Sequence, residues 1–393
     1  MISKRTGVVV AGALVNFCLG IFYAWSVFAD GLIKELGWAK STAMLPYTVE
    51  LLTYAVAMII AGWFQDRYGP RRGVMVSGIL AGLSLILCGV TATPAGVALS
   101  FGVVFGTASA FGYSAVTPAV IRWYPPAKRG LVTGIVLMSL GSSALIWSPL
   151  VNYLVFSFGV KNAFLICGGL LLLIMNTAAR FIDVPEGEME YRKQAAQNSF
   201  NLKGAWRLSF SRPEFRIIWL MIGLSSGVSI MFVGQLVQIA ELNYQVSWGF
   251  ILVSIFAGTN AVGRLLGGIF CDRFGYMNNL KIGIAMMILS MLLYLSGFGQ
   301  GVLVLATVLL GLSYGSLFTS YPLIISAIFG LANFGLIYGI SFTSLGLIGG
   351  LSPLLSAFLA QMTNSYYPTF MIGLLASLIC LYLLSILKRN TEE

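Results

Sequence analysis

Long apolar runs, separated by short polar segments, dominate this chain. An apolar helix of roughly 20 residues spans the hydrocarbon core of a bilayer, and the chain contains about twelve such runs. The longest polar stretch, residues 183–214, separates six runs from six. The pattern predicts an all-α membrane protein with twelve transmembrane helices in two six-helix bundles, 1–182 and 215–393, joined by a partly helical cytoplasmic linker at 183–214. The predicted spans are 7–30, 43–64, 73–92, 97–121, 130–153, 162–180, 216–239, 247–270, 281–298, 302–329, 335–360 and 367–387.

The composition supports a membrane location. Hydrophobic residues make up 58% of the chain and charged residues 9%, whereas soluble proteins carry roughly a quarter charged residues. The first apolar run, Gly7 to Ala29, is too long for the core of a signal peptide and predicts a first transmembrane helix. The five cysteines lie in or beside apolar runs and form no CxxC pair, which favours small buried residues over disulfides or metal ligands. We therefore expect a multi-pass protein of the cell (cytoplasmic) membrane with no cofactor.

The net charge of +10 is distributed asymmetrically. With the N-terminus inside, the inner segments hold nineteen of the 23 lysines and arginines, the outer segments hold Lys34, Lys40 and Lys161, and Arg264 completes the total. Cytoplasmic loops of membrane proteins carry this excess of cations. The charge therefore predicts that both termini are cytoplasmic and argues against nucleic acid as a partner.

Three sequence landmarks recur about 205 residues apart, which indicates two similar, pseudo-symmetric halves. Such parallel six-helix halves are a known transporter architecture with a substrate site near the membrane midplane. The landmarks are Gly62-x-x-x-Asp66-Arg67-Tyr68-Gly69 with Gly268-x-x-x-Asp272-Arg273-Phe274-Gly275, Pro118 with Pro322, and Gly130-x-x-x-Gly134 with Gly335-x-x-x-Gly339.

Arg264 is the one charged residue in the apolar run from Trp248 to Phe270. Arginine does not deprotonate in proteins, and a cation inside a bilayer costs at least about 2.5 kcal/mol unless something compensates it. The position therefore predicts that an anion binds there. The alternative is a structural role, in which Arg264 pairs with Asp272 or with a loop carbonyl.

The loop from Gly62 to Arg72 and its copy at Asp272-Arg273 resemble the signature of the major facilitator superfamily, and the resemblance extends along the whole chain. It implies that Asp66, Arg67, Arg71, Asp272 and Arg273 form a cytoplasmic gate. In the family such acidic and basic groups pair at helix ends in the outward-open state. An interfacial ion pair contributes about 1 kcal/mol, weak enough to break. The alternative is that these charges only anchor the interface and fix the topology.

Within the superfamily, three segments resemble the branch of oxalate–formate antiporters and monocarboxylate transporters. They are Tyr23-Ala24-Trp25-Ser26, Arg122-Trp123-Tyr124-Pro125 with Lys128-Arg129-Gly130-Leu131, and Gly263-Arg264. In that branch an arginine of the eighth helix holds the substrate carboxylate, which implies that role for Arg264. The resemblance also implies pocket positions for Tyr113, Tyr314, Phe318 and Phe342, and more weakly for Tyr23. Packing is the alternative for each of these aromatic residues.

Two departures from the branch shape the expected substrate. Asn260 stands where monocarboxylate transporters usually carry an aspartate, and Leu345 stands where the oxalate branch carries a second cation. A single cation with an apolar wall fits a lactate-like or pyruvate-like monoanion better than a dianion. Asn260 lies four residues before Arg264, on the same helix face. It would orient the guanidinium, bind a substrate hydroxyl, or make an interhelical hydrogen bond.

A small monocarboxylate and a proton are the expected cargo, carried by alternating access in a monomer within the lipid bilayer. The chain has no histidine. Glu50, the one carboxylate well inside a predicted helix, is the candidate proton carrier. The alternatives are that Glu50 is a neutral structural residue, or that the proton travels on the substrate or on water.

An anion exchanger of the oxalate–formate type is the alternative function. No GxSxG, HExxH or P-loop motif suggests an enzyme.

Overall fold

The computed structural model describes residues 4–185, 202–246, 248–331 and 334–392, and all regular structure within these ranges is helical. The first half contains α1 (Lys4–Leu19), a 3-10 turn (Gly20–Ala24), α2 (Trp25–Leu36), α3 (Lys40–Tyr68), α4 (Pro70–Thr91), α5 (Pro94–Val97), a π-helical segment (Ala98–Phe105), α6 (Gly106–Arg122), α7 (Pro126–Ser142) and α8 (Ala144–Ala179). The second half contains α9 (Leu202–Ser211), α10 (Pro213–Val233), α11 (Leu236–Tyr244), α12 (Gly249–Phe274), α13 (Tyr276–Ser296), α14 (Gly299–Phe329), α15 (Phe334–Ser344), a second π-helical segment (Leu345–Gly349), α16 (Gly350–Thr363) and α17 (Tyr367–Glu392).

Eleven helical stretches among the described residues are long and apolar enough to cross a membrane. One of them, Pro126–Ala179, has 54 residues, or about 80 Å of helix at roughly 1.5 Å per residue. The apolar core of a bilayer is only about 30 Å thick. Gly159 interrupts this stretch with φ +80° and ψ 159°, so the helix changes direction there. The predicted all-α membrane fold is confirmed. The count of twelve spans and the side of the termini stay predictions, and residues 186–201 of the predicted linker lie outside the described residues.

The chain forms two compact units. Unit 1 contains the described residues of Met1–Pro125, Ser139–Leu202 and Phe329–Ile340. Unit 2 contains those of Pro126–Met138, Lys203–Ile328 and Ser341–Glu393. Because the boundaries fall inside α7 and α15, the first part of each of these helices packs in a different unit from the rest. The predicted division at 183–214 stays a prediction.

The core of unit 1 is an aromatic cluster on α2, the first π-helical segment and α8. The ring of Trp25 lies 4.1 Å from that of Phe101, and Phe28 stacks on Phe164 at 4.3 Å. The indole N–H of Trp25 donates to the carbonyl of Ala43 at 3.0 Å, so the polar atom of this buried ring is satisfied. In a bilayer such close packing, rather than water exclusion, holds helices together.

The core of unit 2 contains a triangle of rings from α10, α13 and α17. Phe232, Tyr294 and Phe370 have centroid separations of 4.8, 5.5 and 5.3 Å. The hydroxyl of Tyr294 shares a 2.9 Å hydrogen bond with that of Thr307 on α14. Both the apolar faces and the buried hydroxyl therefore have partners.

The predicted repeat is visible in two matching loops. Helix α3 ends at Gly69 with φ 97°, and α12 ends at Gly275 with φ 84°. A side chain is strained at such angles, which explains glycine at both positions. The next helix starts at the following residue in each copy, Pro70 or Tyr276. The acidic residues Asp66 and Asp272 consequently occupy equivalent positions in the last turn of their helices.

Candidate functional site

Arg264 lies in the middle of α12 and is 1% exposed. Its Nε donates to Oδ1 of Asn260 at 3.2 Å, and its Nη1 donates to the carbonyl oxygen of Leu137 on α7 at 3.0 Å. Hydrogen bonds that involve a charged group contribute about 1.5–3 kcal/mol each. The guanidinium is thus anchored by an amide and a backbone carbonyl, both neutral.

No carboxylate in the described part of the chain neutralises the charge of Arg264. Among the described residues, its side-chain hydrogen bonds go to Asn260 and Leu137 alone, and no protein atom accepts from Nη2. Asp272, the candidate structural partner, binds elsewhere. The arrangement leaves part of the donor fork, and the whole positive charge, for another anion.

Aromatic rings form a wall beside this cation in unit 2. The guanidinium carbon of Arg264 lies 5.4 Å from the ring centroid of Phe318. Phe318 contacts Tyr314 at 4.8 Å and Phe342 at 5.6 Å, both edge to face. A desolvated cation over an aromatic face gains about 2 kcal/mol. The structure thus brings together five residues predicted from the sequence: Asn260, Arg264, Tyr314, Phe318 and Phe342.

The backbone of α12 is fixed at the same point. The hydroxyl of Thr319 on α14 donates to the carbonyl oxygen of Arg264 at 3.0 Å. A Cβ at Gly315, on the same helix, would lie 2.7 Å from the amide nitrogen of Arg264, so this approach requires a residue without a side chain. Contacts with α14 therefore fix the backbone of α12 at Arg264, independently of the contacts of its side chain.

Leu345 also belongs to unit 2 and is 8% exposed. It begins the second π-helical segment, Leu345–Gly349. Such segments interrupt the regular side-chain spacing of an α-helix and are frequent at functional sites. Leu345, the predicted wall residue, is thus a buried apolar side chain of unit 2.

The other predicted pocket residues, Tyr113 and Tyr23, belong to unit 1. Tyr113 on α6 is buried, stacks on Tyr338 of α15 at 6.0 Å and meets Tyr54 of α3 edge to face at 6.1 Å. Tyr23 lies in the 3-10 turn, is 37% exposed and contacts Phe22 at 3.9 Å. Tyr113 is therefore part of a tyrosine cluster, whereas Tyr23 lies partly at the surface of the protein.

Glu50, the proton-carrier candidate, is likewise in unit 1, on α3, and is 2% exposed. The hydroxyl of Ser109 on α6 is its side-chain neighbour. Oε2 of Glu50 has no hydrogen-bond partner among the described residues. Glu50 is thus a buried carboxyl group inside a candidate membrane-spanning helix.

The predicted gate aspartates bind the starts of other helices. Asp272 accepts from the backbone N–H groups of Gly130 and Leu131 on α7, both at 2.7 Å. Asp66 accepts from those of Gly335 and Leu336 on α15, at 3.0 and 2.7 Å. Negative charge is favoured near the N-terminus of a helix because the helix dipole is positive at that end. The distant glycine landmarks at 130 and 335 are thus explained as the amides that these aspartates bind.

In this conformation Asp272 has no arginine partner among the described residues. Within the described residues Asp272 forms no ion pair, and its carboxylate is satisfied by the two amides of α7. Arg273 and Arg71 are exposed, and the guanidinium carbon of Arg67 lies 5.5 Å from the Trp63 ring. An arginine side chain there gains solvation without needing the carboxylate, since the amides already compensate the aspartate. The role of these five residues as a gate stays a prediction.

Several contacts of the site were not predicted. Phe256 on α12 lies 6.1 Å from Tyr314 and is 5% exposed. The sequence could have indicated Phe256, because it precedes Asn260 by four residues and so lies on the same helix face. Tyr338 and Tyr54, which surround Tyr113, carried no such signal. The carbonyl of Leu137 carried none either, because a backbone acceptor is independent of the residue type.

The geometry can be compared with known proteins. Residues 10–302 and 245–393 match the family model of the Major Facilitator Superfamily. The chain belongs to the Major Facilitator Superfamily. The resemblance stated from the Asp66 and Asp272 loops is therefore confirmed.

Relatives of this superfamily member align over most of their length. The MFS-type transporter YhjX of Escherichia coli is 25% identical, with 85% of this chain and 83% of the relative covered. The oxalate:formate antiporter of Oxalobacter formigenes is 24% identical, over 87% and 82% of the two chains. Monocarboxylate transporter 13 of Rattus norvegicus is 24% identical, over 80% and 72%. These similarities include the branch indicated by the sequence.

Solved structures support the fold. The transporter FucP in its outward conformation superposes with a TM-score of 0.76 at 14% identity, covering 98% of this chain and 99% of FucP. The proton:xylose symporter XylE gives 0.71 at 16% identity, covering 96% and 95%. At these identities the likeness concerns the fold alone. The protein is a multi-pass membrane transporter of the Major Facilitator Superfamily, a family whose members are not enzymes.

Proposed function

We propose that this transporter carries a small monocarboxylate anion, lactate-like or pyruvate-like, together with a proton, by alternating access. Arg264 holds the carboxylate of the substrate. The protein acts as a monomer in the cell membrane. The observation that carries the proposal is the buried guanidinium whose partners, Asn260 and the Leu137 carbonyl, are neutral.

The donor geometry of arginine supports a carboxylate. A guanidinium offers a planar fork that binds two carboxylate oxygens at once. Nε and one N–H of Nη1 are already used, which orients the fork and leaves the N–H groups of Nη2 without a protein acceptor among the described residues. An anion bound there gains a charge-assisted hydrogen bond in a medium where water does not compete.

The surroundings of the arginine support a monoanion with a short organic tail. Phe318 and Phe342 are apolar, and Leu345 brings no second cation. A dianion such as oxalate would leave one carboxylate without a countercharge, which is costly in a buried site. The names of two relatives, the oxalate:formate antiporter and monocarboxylate transporter 13, also indicate small carboxylates.

The electrical cost of moving a lone anion across the membrane supports the co-transport of a proton. Moving one net charge across a membrane costs about 2.3 kcal/mol per 100 mV. A proton that accompanies a monoanion makes the cycle electroneutral. A cell with a negative interior then accumulates the acid whenever the outside is more acidic.

Uptake into proteoliposomes tests the proposal. Vesicles without internal substrate are given labelled L-lactate or pyruvate, with an inward proton gradient and without one. A panel of unlabelled formate, acetate, oxalate and malonate competes for uptake. We expect gradient-driven accumulation, effective competition by monocarboxylates with a short tail, and weak competition by the dianions.

The alternative is an anion exchanger of the oxalate–formate kind, which the 24% identical antiporter favours. Uptake that occurs only with a preloaded counter-anion, and that is indifferent to the proton gradient, would support exchange and contradict symport. Absence of uptake for every carboxylate in the panel would overturn the substrate class.

A further inference from the structure

Glu50 is a carboxyl group in an environment that disfavours its charge. It lies on α3 within the candidate span Ser41–Tyr68 and is 2% exposed. Its Oε2 has no hydrogen-bond partner among the described residues. An ionised carboxylate without partners costs several kcal/mol when it is buried, whereas the protonated acid costs far less.

The neighbours of Glu50 from each side are uncharged. Tyr47 lies one turn earlier on α3, close enough to interact electrostatically, and Tyr23 approaches Tyr47 from the 3-10 turn. From α6, the Ser109 side chain lies beside the carboxyl and a Cβ at Gly106 would lie 2.8 Å from the Glu50 carbonyl oxygen. No lysine or arginine of the described residues interacts with the carboxyl electrostatically. In this conformation the described part of the chain supplies no cation that stabilises an ionised Glu50.

We propose that Glu50 is the residue that binds and releases the transported proton. This inference rests on the proposed proton symport and assigns its proton site. Outside, a hydronium ion gives its proton to Oε2 and becomes water, so one O–H bond breaks and one forms. The neutral acid crosses with the loaded transporter. Inside, the O–H bond of the acid breaks, a water molecule takes the proton and becomes hydronium, and the carboxylate is restored.

Helix α6 links this carboxyl to Tyr113, a predicted pocket residue that also belongs to unit 1. Ser109, beside Glu50, and Tyr113, a predicted pocket residue, are four positions apart on one face of α6. Residues at this spacing are direct neighbours, about 5–6 Å apart between Cβ atoms. The buried hydroxyl of Ser109 is a hydrogen-bonding neighbour of the Glu50 carboxyl. The hydroxyl beside the Glu50 carboxyl thus lies one helical turn from Tyr113.

The test uses Glu50→Gln, which has the shape of the protonated acid but cannot release a proton. Two assays are run on the same vesicles: uptake of L-lactate driven by a pH difference, and counterflow of labelled against unlabelled lactate without one. A difference of one pH unit supports about tenfold accumulation in a 1:1 symporter. We expect this ratio to fall to about one in Glu50→Gln, while the counterflow rate stays within about twofold of wild type.

Glu35→Gln is the matched control. Glu35 is exposed, and its carboxylate accepts from the Val160 N–H at 2.9 Å, a bond that the amide oxygen of glutamine also accepts. This variant should keep both activities. Glu50→Asp, which retains a titratable group, should keep proton-driven accumulation at a lower rate.

Three results distinguish the proposals. Proton-driven accumulation by Glu50→Gln at the wild-type ratio would overturn the proton site and leave symport intact. Loss of counterflow in Glu50→Gln would also overturn it, because exchange of loaded carriers requires no proton release. Failure of wild-type protein to accumulate substrate in a proton gradient would instead overturn the symport on which the inference rests.

Discussion

Glu50 in unit 1 and Arg264 in unit 2 are both buried ionisable residues of membrane-spanning helices, yet their surroundings differ. Arg264 is held by an amide oxygen, a backbone carbonyl and an aromatic face. Glu50 has a serine and a tyrosine nearby, and one of its oxygens has no hydrogen-bond partner among the described residues. Arg264 thus has several dipoles that suit its charge, whereas the dipole that suits an ionised Glu50 among the described residues is the hydroxyl of Ser109.

The difference follows from the acid–base chemistry of the two side chains. Arginine stays protonated in proteins, so a protein that buries it must supply acceptors. Glutamic acid can become neutral, so burial without acceptors favours the protonated form. A fixed cation suits the recognition of an anion, and a group that can lose its charge suits the transfer of a proton. The contrast is thus consistent with two separate tasks in one transport cycle.

Substitution of Arg264 should produce the largest effect. Arg264→Lys keeps a positive charge but replaces the planar fork by a compact ammonium group. We expect the uptake efficiency, kcat/KM, to fall by at least about 30-fold, because the loss of a buried charged contact costs about 2–5 kcal/mol. Initial rates of lactate counterflow over a range of concentrations provide the measurement.

Arg264→Gln sharpens the comparison with Glu50→Gln, since each change replaces a buried ionisable group by a neutral amide. The arginine variant should lose counterflow and proton-driven uptake together, whereas the glutamate variant should lose only the latter. Circular dichroism and size-exclusion chromatography confirm that each variant is folded. An Arg264→Gln protein with near-normal counterflow would remove this residue from substrate binding.

Asn260→Asp should produce the next largest effect by giving Arg264 a protein carboxylate. The new acid would lie where Oδ1 now accepts from Nε at 3.2 Å and would compete with the substrate for the positive charge. We expect an increase of about tenfold in KM, equivalent to about 1.4 kcal/mol. The control, Asn260→Leu, removes the hydrogen bond but adds no charge, and its increase should be smaller. Equal increases in KM for the two variants would show that the added carboxylate does not compete with the substrate for the charge of Arg264.

The sequence was sufficient for much of this picture. Apolar runs predicted the membrane helices, and the matching loops around Asp66 and Asp272 predicted the repeat and the family. Arg264 was identified because a lone charge in an apolar span is costly. Residues near it on α12 and α14 followed from helical spacing and from the resemblance.

The parts that sequence reasoning missed depend on backbone atoms. The Leu137 carbonyl binds Arg264, and the amides of Gly130 and Gly335 bind the two aspartates. Every residue has a carbonyl, and every residue except proline has an amide, so residue type carries no signal for such contacts. For Asp272, the side-chain rule that aspartate pairs with arginine gave no indication of the backbone amides of α7 that it binds.

The helix-end contacts give a third, smaller prediction. Asp272→Asn leaves one acceptor oxygen where two now bind the amides of Gly130 and Leu131. The loss of a charge-assisted bond should cost about 1.5 kcal/mol and raise hydrogen exchange in the peptide covering 126–138 by about tenfold. Asp66→Asn should do the same for the peptide covering 334–344. Mass spectrometry of deuterium uptake measures both.

Arg273→Gln serves as the control for Asp272→Asn. This neighbour is exposed, so its neutralisation should leave exchange at 126–138 unchanged. If Arg273→Gln increased exchange at 126–138 as much as Asp272→Asn does, the arginine would be shown to stabilise the start of α7. The pair of measurements thus separates a carboxylate–amide contact from an ion pair.

Phe318→Leu should produce the smallest effect and defines how much the aromatic wall adds to the Arg264 site. The guanidinium carbon lies 5.4 Å from the Phe318 centroid, and leucine would keep the apolar contact but lose the ring face. A cation–aromatic contact is worth about 0.5–2 kcal/mol, so KM should rise by a few-fold with kcat nearly unchanged. Phe342→Leu is the matched control, because Phe342 contacts Phe318 edge to face at 5.6 Å. Equal increases in both variants would attribute the effect to packing of the wall, whereas a larger increase for Phe318→Leu would attribute it to the cation.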